Sequence, residues 1–162
     1  MAQPSRKSKP EIKATALAVA RYIIRRFQDR EDPVTNLKLQ KLLYYVQGWH
    51  LGVFGTPAFE DDFEAWVHGP VAPGVFHAYR DYRWNPITKE VDEPKLPESL
   101  KKHIDEVLDV YGGDTGWALE SRTHREPPWL KARGDLPADE SSNAVISKKS
   151  MKKFFEAQAA DE

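Results

Sequence analysis

The chain has 162 residues, no cysteine, 24 Lys and Arg against 25 Asp and Glu, and a formal net charge of -1. Disulfide and thiolate chemistry are excluded, and interspersed charge of both signs argues against a general nucleic-acid binder, which needs a dominant basic face. No apolar run reaches the roughly 20 residues of a membrane helix and no secretory pattern opens the sequence, so the expectation is one soluble, cytoplasmic domain with an ample aromatic supply.

Residues 1–10, with Arg6, Lys7 and Lys9 among prolines and small polar residues, read as a disordered basic tail. The folded domain is expected over 11–158, with a frayed acidic end at 159–162. Ile12, Ala16, Leu17, Ala20, Ile23, Ile24 and Phe27 recur at three- and four-residue spacing and predict an amphipathic helix to about Gln28, with Arg21, Arg25 and Arg26 on its wet side. Asp32-Pro33 stops it, and the second helix should fold back on the first as a hairpin. That second helix, Thr35 to Gly55, organises the chain. Leu39, Leu42, Leu43, Val46, Trp49 and Val53 form one apolar stripe, and Leu37, Tyr44 and Leu51 form another nearly opposite. Thr35 suits the N-cap, and Gly52 and Gly55 bracket the end. Between the stripes, Lys38, Lys41, Tyr45 and Gly48 make an open arc suited to a partner or to solvent.

Phe63, Ala65 and Val67 alternate with Glu64, Trp66 and His68, a strand pattern ended by Gly69-Pro70. A helix follows from about Pro73 to Tyr82, and Ile87 to Val91 is the expected pairing partner of the strand. A helix from Glu98 to Tyr111 carries Leu100, Ile104, Val107, Leu108 and Tyr111 at core spacing, and Gly112-Gly113 ends it. Asp114 or Thr115 caps a shorter helix whose apolar residues are Trp117 and Leu119. Thr123 to Trp129 reads as a rigid loop, Gly134 to Asn143 as an exposed one. Ser147 caps a last helix with Met151, Phe154 and Phe155 inward and Lys148, Lys149, Lys152 and Lys153 outward. The fold class is mainly α: a single helical domain around a central buried helix, with a two- or three-stranded β element.

Enzyme signatures are sparse. No glycine loop follows a strand to cradle phosphate, and Glu120 with His124 lacks a third ligand for a structural metal. The cluster Glu60, Asp61, Asp62 and Glu64 reads as strand-edge protection. Ser121 or Thr123 beside His124 makes a poor nucleophile pair, because sequence neighbours rarely align for proton transfer. Trp66, Trp129 and His50 suit core positions.

Three stretches occur together in order: Asn36 to Tyr45 with Gln47, Gly48, Trp49 and His50; Phe63 to Trp66 with Gly69, Pro70 and Val71; and Thr123, His124, Glu126, Pro128 and Trp129. Jointly they resemble the Panacea domain of SocA-like antitoxins and GepA-type phage-associated proteins, over roughly Ala16 to Phe155. The resemblance implies a non-enzymatic protein without cofactor or metal that binds a cognate protein toxin, and in the SocA-like form an adaptor delivering that toxin to the ClpXP protease. Its motif residues, in contact or in scaffold, are Lys38, Lys41, Tyr45, Gln47, Trp49, His50, Glu64, Trp66, Gly69, Pro70, Thr123, His124, Glu126 and Trp129. The family commonly carries an aromatic residue or lysine at the two positions before Gly-Pro; this chain has Val67 and His68, a departure that bears on partner choice. Two readings from other classes stay open: a hydrolase or nucleotide-processing enzyme using His124 and Glu126, and a DNA-binding autoregulator using Arg21, Arg25 and Arg26 or the Lys148 to Lys153 face.

Overall fold

A computed structural model describes residues 14–161. The basic tail at 1–10, Ile12 and Glu162 lie outside the described residues. Thr15 accepts a hydrogen bond from the Ala18 amide and starts α1 (Ala16–Asp29), which buries Val19, Ala20, Ile23, Ile24 and Phe27. Leu17, expected in the core, faces solvent, while Tyr22 is buried with its hydroxyl on Asp105.

Thr35 likewise caps α2 (Asn36–Phe54) through the Lys38 amide, and Gly55 closes it at φ 80°. Both apolar stripes find neighbours, because α1, the helices over 98–111, 116–123 and 148–160, and the strand over 69–71 all pack against this helix. Leu39, Leu42, Leu43, Tyr44 and Val46 are sealed from water. The open arc is overturned: Lys41, Tyr45 and Gly48 are buried too, so residues 41–48 form an unbroken buried run. Only the last turn emerges, with Val53 exposed and Trp49 half-buried rather than both in the core. The helix ends at Phe54, between Gly52 and Gly55 as expected.

Next, β1 (Phe63–Trp66) turns Phe63 and Ala65 inward, as its alternation predicts. Its partner is not Ile87 to Val91 but β2 (Gly69–Val71), paired antiparallel with Glu64 opposite Val71 and Trp66 opposite Gly69. Gly69, at φ 101°, permits this tight return; a Cβ there would also stand 2.7 Å from Lys41 and 2.8 Å from Thr123. Ile87 instead joins the core, and its amide donates to the Val34 carbonyl. The expected ten-residue helix after Pro73 is split: α3 (Pro73–Ala78) has no side-chain cap and ends at Tyr79, and one 3-10 turn follows at Arg80–Tyr82.

The core spacing of α4 (Glu98–Tyr111) holds at all five expected positions. Thr115 caps α5 (Gly116–Thr123), which buries Leu119 and leaves Trp117 outside. The expected rigid loop at Thr123 to Trp129 gives way to α6 (Pro127–Arg133), where Pro127 and Pro128 occupy first-turn positions that need no amide hydrogen. After the exposed loop, β3 (Val145–Ile146) joins β1 on its other side, giving the antiparallel order β2-β1-β3. Ser147 then caps α7 (Lys148–Ala160), with Met151 and Phe155 buried and Phe154 only half-buried. Its Phe155 lies so near α2 that a Cβ on Gly48 would stand 2.1 Å from the ring. The chain is thus mainly helical around α2, with a small three-stranded sheet.

Candidate functional site

The second and third motif stretches fold onto α2. Glu126, buried at the start of α6, accepts hydrogen bonds from the hydroxyls of Tyr44 and Tyr45, each at 3.0 Å. Burial pushes the Glu126 carboxyl up, while the two tyrosine bonds and then Arg122 and Arg125 oppose the shift. Burial and the facing carboxylate push both tyrosines up as well. Tyr45 stacks on Tyr111 at 4.0 Å, and Trp49 donates its indole hydrogen to the Tyr111 hydroxyl at 2.8 Å. Gln47 binds Phe59 and Ala58 through both ends of its amide. Lys38 is half-buried, with Nζ on the Gly112 carbonyl at 2.6 Å and over the Phe27 ring. His50 sits half-exposed, bonded to the Thr56 carbonyl.

Around the turn of the hairpin, Lys41 is wholly buried and donates to the Pro70 carbonyl at 3.0 Å. Burial lowers its pKa to about 7, against a smaller opposing pull from Glu120. Thr123 donates to the Glu120 carbonyl. The Val67 carbonyl accepts from His124 Nε2 at 2.8 Å, which makes that nitrogen the protonated one. The His124 imidazole stacks on Trp129 at 4.2 Å, and burial lowers its pKa. Trp129 in turn donates to the Trp66 carbonyl, while the Trp66 indole donates to Glu64. His124 and Glu126 are therefore committed to different partners, His124 to the hairpin and Glu126 to α2. Among the described residues no group of three or more His, Asp or Glu is placed to hold a metal ion.

Two of the three arginines named for DNA contact are engaged within the fold. Arg25 binds Asp29 and the Val91 carbonyl, and Arg26 reaches Tyr22 and Asp105. Lys148 on the last helix is bonded to Asp62 and the Glu60 carbonyl.

Beside the buried cluster lies a groove of about 880 Å³. Neither His124 nor Glu126 lines it. Of the motif residues it takes Lys41 and Trp66, and it adds Phe76 together with three residues that periodicity did not mark: Arg80, Arg83 and Trp84. Trp84 and Trp117, 60% and 57% exposed, stack at 5.5 Å with the His68 ring edge-on to both. Arg83 holds φ 55° and ψ -120°, a conformation that costs a non-glycine residue on the order of 1–3 kcal/mol. The signal that could have flagged this region is its composition, with three aromatic and two arginine side chains among the six residues from Tyr79 to Trp84. Also unforeseen is buried Arg133, which ties the Ala65 carbonyl to the Pro137 and Glu140 carbonyls and so fixes the loop before β3.

The site thus combines a helix-centred scaffold, a carbonyl-bound histidine and lysine, and an exposed aromatic lip. The family model described as "Antitoxin SocA-like, Panacea domain" matches residues 39–130, and the chain belongs to that family. Antitoxin SocA of Caulobacter vibrioides (strain NA1000 / CB15N) is 41% identical over 64 residues, which are 40% of this chain; the aligned stretch spans about a third, 34%, of that relative's length. No solved structure matches.

Proposed function

We propose that the protein is an antitoxin: a non-enzymatic, cytoplasmic binding protein that holds and neutralises a cognate protein toxin, with residues 11–158 as the binding domain. The observation that carries this reading is membership of the SocA-like antitoxin family across more than half of the chain. The exposed Trp84–Trp117 stack supports it, since large aromatics left in water beside a groove are the material of protein interfaces. On this reading the family-motif residues serve mainly to hold the scaffold, and contact falls to the lip and the groove. The test is growth of cells that express the partner toxin while the antitoxin is depleted. Growth should stop only when the toxin is present, and the two should co-purify. Harmless depletion with the toxin expressed would sink the reading.

Delivery of the bound toxin to ClpXP is the finer form of the same function, and it needs a second contact face. Val53 and Val110, 56% and 69% exposed, line a separate shallow hollow of about 260 Å³, with Phe54 beside it against His103. Toxin lifetime measured with and without the protease tests this form; equal lifetimes reduce the function to sequestration.

A further inference from the structure

The groove is selective in charge. Its lining holds Lys41, His68, Arg80 and Arg83 and no Asp or Glu, in a chain whose 24 basic residues are matched by 25 acidic ones. Among the described residues neither Arg80 nor Arg83 has an acidic partner, and both are exposed. Two carboxylates bonded to lining residues stand outside the lining themselves, Glu64 on the Trp66 indole and Glu120 on His68. Arg83 is set in its place by the unusual backbone described above, with its amide on the Arg80 carbonyl at 3.0 Å.

Apolar surface makes up much of the rest of the lining. Trp66 and Phe76 meet edge to face at 5.0 Å along one wall, and Trp84 stands at the mouth with Trp117 stacked behind it. Rings that are already packed against one another lose little freedom when a ligand arrives. A volume of about 880 Å³ is room for a short length of chain.

We propose that this groove docks an extended acidic segment of a partner protein, with its carboxylates on Arg80 and Arg83 and an apolar side chain between Trp66, Phe76 and Trp84. Guanidinium groups take carboxylates with two parallel bonds, and aromatic walls take the intervening side chain. A single-stranded nucleic acid would use the same rings, but its regular phosphates call for a longer basic track. Here Asp81 interrupts the two arginines, and the chain as a whole is slightly acidic. The inference rests on the reading of the protein as a polypeptide binder and names the chemistry of what it grips.

The experiment uses the full chain and three labelled probes followed by fluorescence anisotropy: a short peptide alternating Glu or Asp with Leu or Phe, the same peptide with Lys in the acidic positions, and an oligothymidine. The acidic peptide should bind, more weakly as salt rises. Arg80→Glu with Arg83→Glu should weaken it roughly tenfold or more, as should Trp84→Ala. The double Arg→Gln variant, with thermal unfolding as the control, guards against a folding effect of reversed charge. Equal binding of the Lys peptide, tighter binding of the oligothymidine, or unchanged affinity in both double variants would overturn the proposal. If the toxin is captured equally by wild type and by Arg80→Glu/Arg83→Glu, the groove inference falls while the antitoxin reading stands. If wild type captures no toxin, that reading falls, and the peptide arm alone decides the groove.

Discussion

Two aromatic groups in this molecule are built from similar side chains and have opposite fates. Tyr44, Tyr45 and Tyr111 lie in the interior, and two of their hydroxyls converge on the buried Glu126. Trp84 and Trp117 stack in the open, more than half exposed. A buried aromatic with a polar end must be given a partner, and the interior group shows that requirement met by one carboxylate shared between two hydroxyls. The outer pair buries little and holds its geometry by stacking. Recognisable sequence motifs fall mainly in the first group; the second is the region available to another molecule.

The comparison can be broken from the inside first. Glu126→Ala should have the largest effect, because it orphans two buried hydroxyls at about 1–3 kcal/mol each. Urea unfolding should show a loss of about 2–5 kcal/mol, and Glu126→Gln, which keeps one acceptor oxygen, about half of it. An unchanged midpoint in Glu126→Ala would mean that the interior group is not what it looks like. Next comes Gly48→Ala, which drives a methyl into the Phe155 ring and should cost about 1–3 kcal/mol. Shrinking the ring with Phe155→Leu in the same chain should return part of that loss.

Lys41 gives a pH signature. Its pKa is about 7 in the folded protein against an ordinary 10.5, so between those values the unfolded chain binds the extra proton and stability rises with pH. The slope should approach ~1.4 kcal/mol per pH unit at most. Tyr44 and Tyr45, with raised values, act in the opposite sense and only around pH 10 and above, where the unfolded chain ionises first. Lys41→Met should therefore flatten the rise between about pH 7 and 9, leaving the smaller contribution of Lys38, whose pKa burial also lowers. A rise of undiminished slope would show that Lys41 is solvated. The smallest stability effect belongs to the outer pair. Trp84→Ala and Trp117→Ala should shift unfolding by no more than about 0.5 kcal/mol while reducing toxin capture roughly tenfold or more. A large stability loss would move these rings to the scaffold side of the comparison.

Legibility in the sequence followed the same division. Helices bounded by Thr35, Thr115 and Ser147 could be read because a hydroxyl capping the third amide is a local interaction, whereas the start of α1, capped by Thr15, was expected earlier, at Ile12. The faces of α1 and α4 could be read because each has one wet side. On α2 the periodicity failed for a physical reason: with neighbours all around, no arc was left for Lys41, Tyr45 and Gly48 to share with water. The pairing of β1 with Gly69–Val71 was missed because a three-residue strand with a central proline carries almost no strand signal. α6 was hidden by its two prolines, which obstruct a helix everywhere except at its first turn.

Residue order alone sets the framework: a mainly helical chain, its central rod, the helix starts at Thr35, Thr115 and Ser147, and a set of co-occurring motifs that mark the family. Tertiary structure alone decided which of those residues meet water. Glu126 finds Tyr44 and Tyr45 across more than 80 positions of sequence, and Trp84 finds Trp117 by stacking from a different segment. Neither pairing leaves a local trace, because burial and long-range contact are properties of how elements pack, not of the order in which residues are strung.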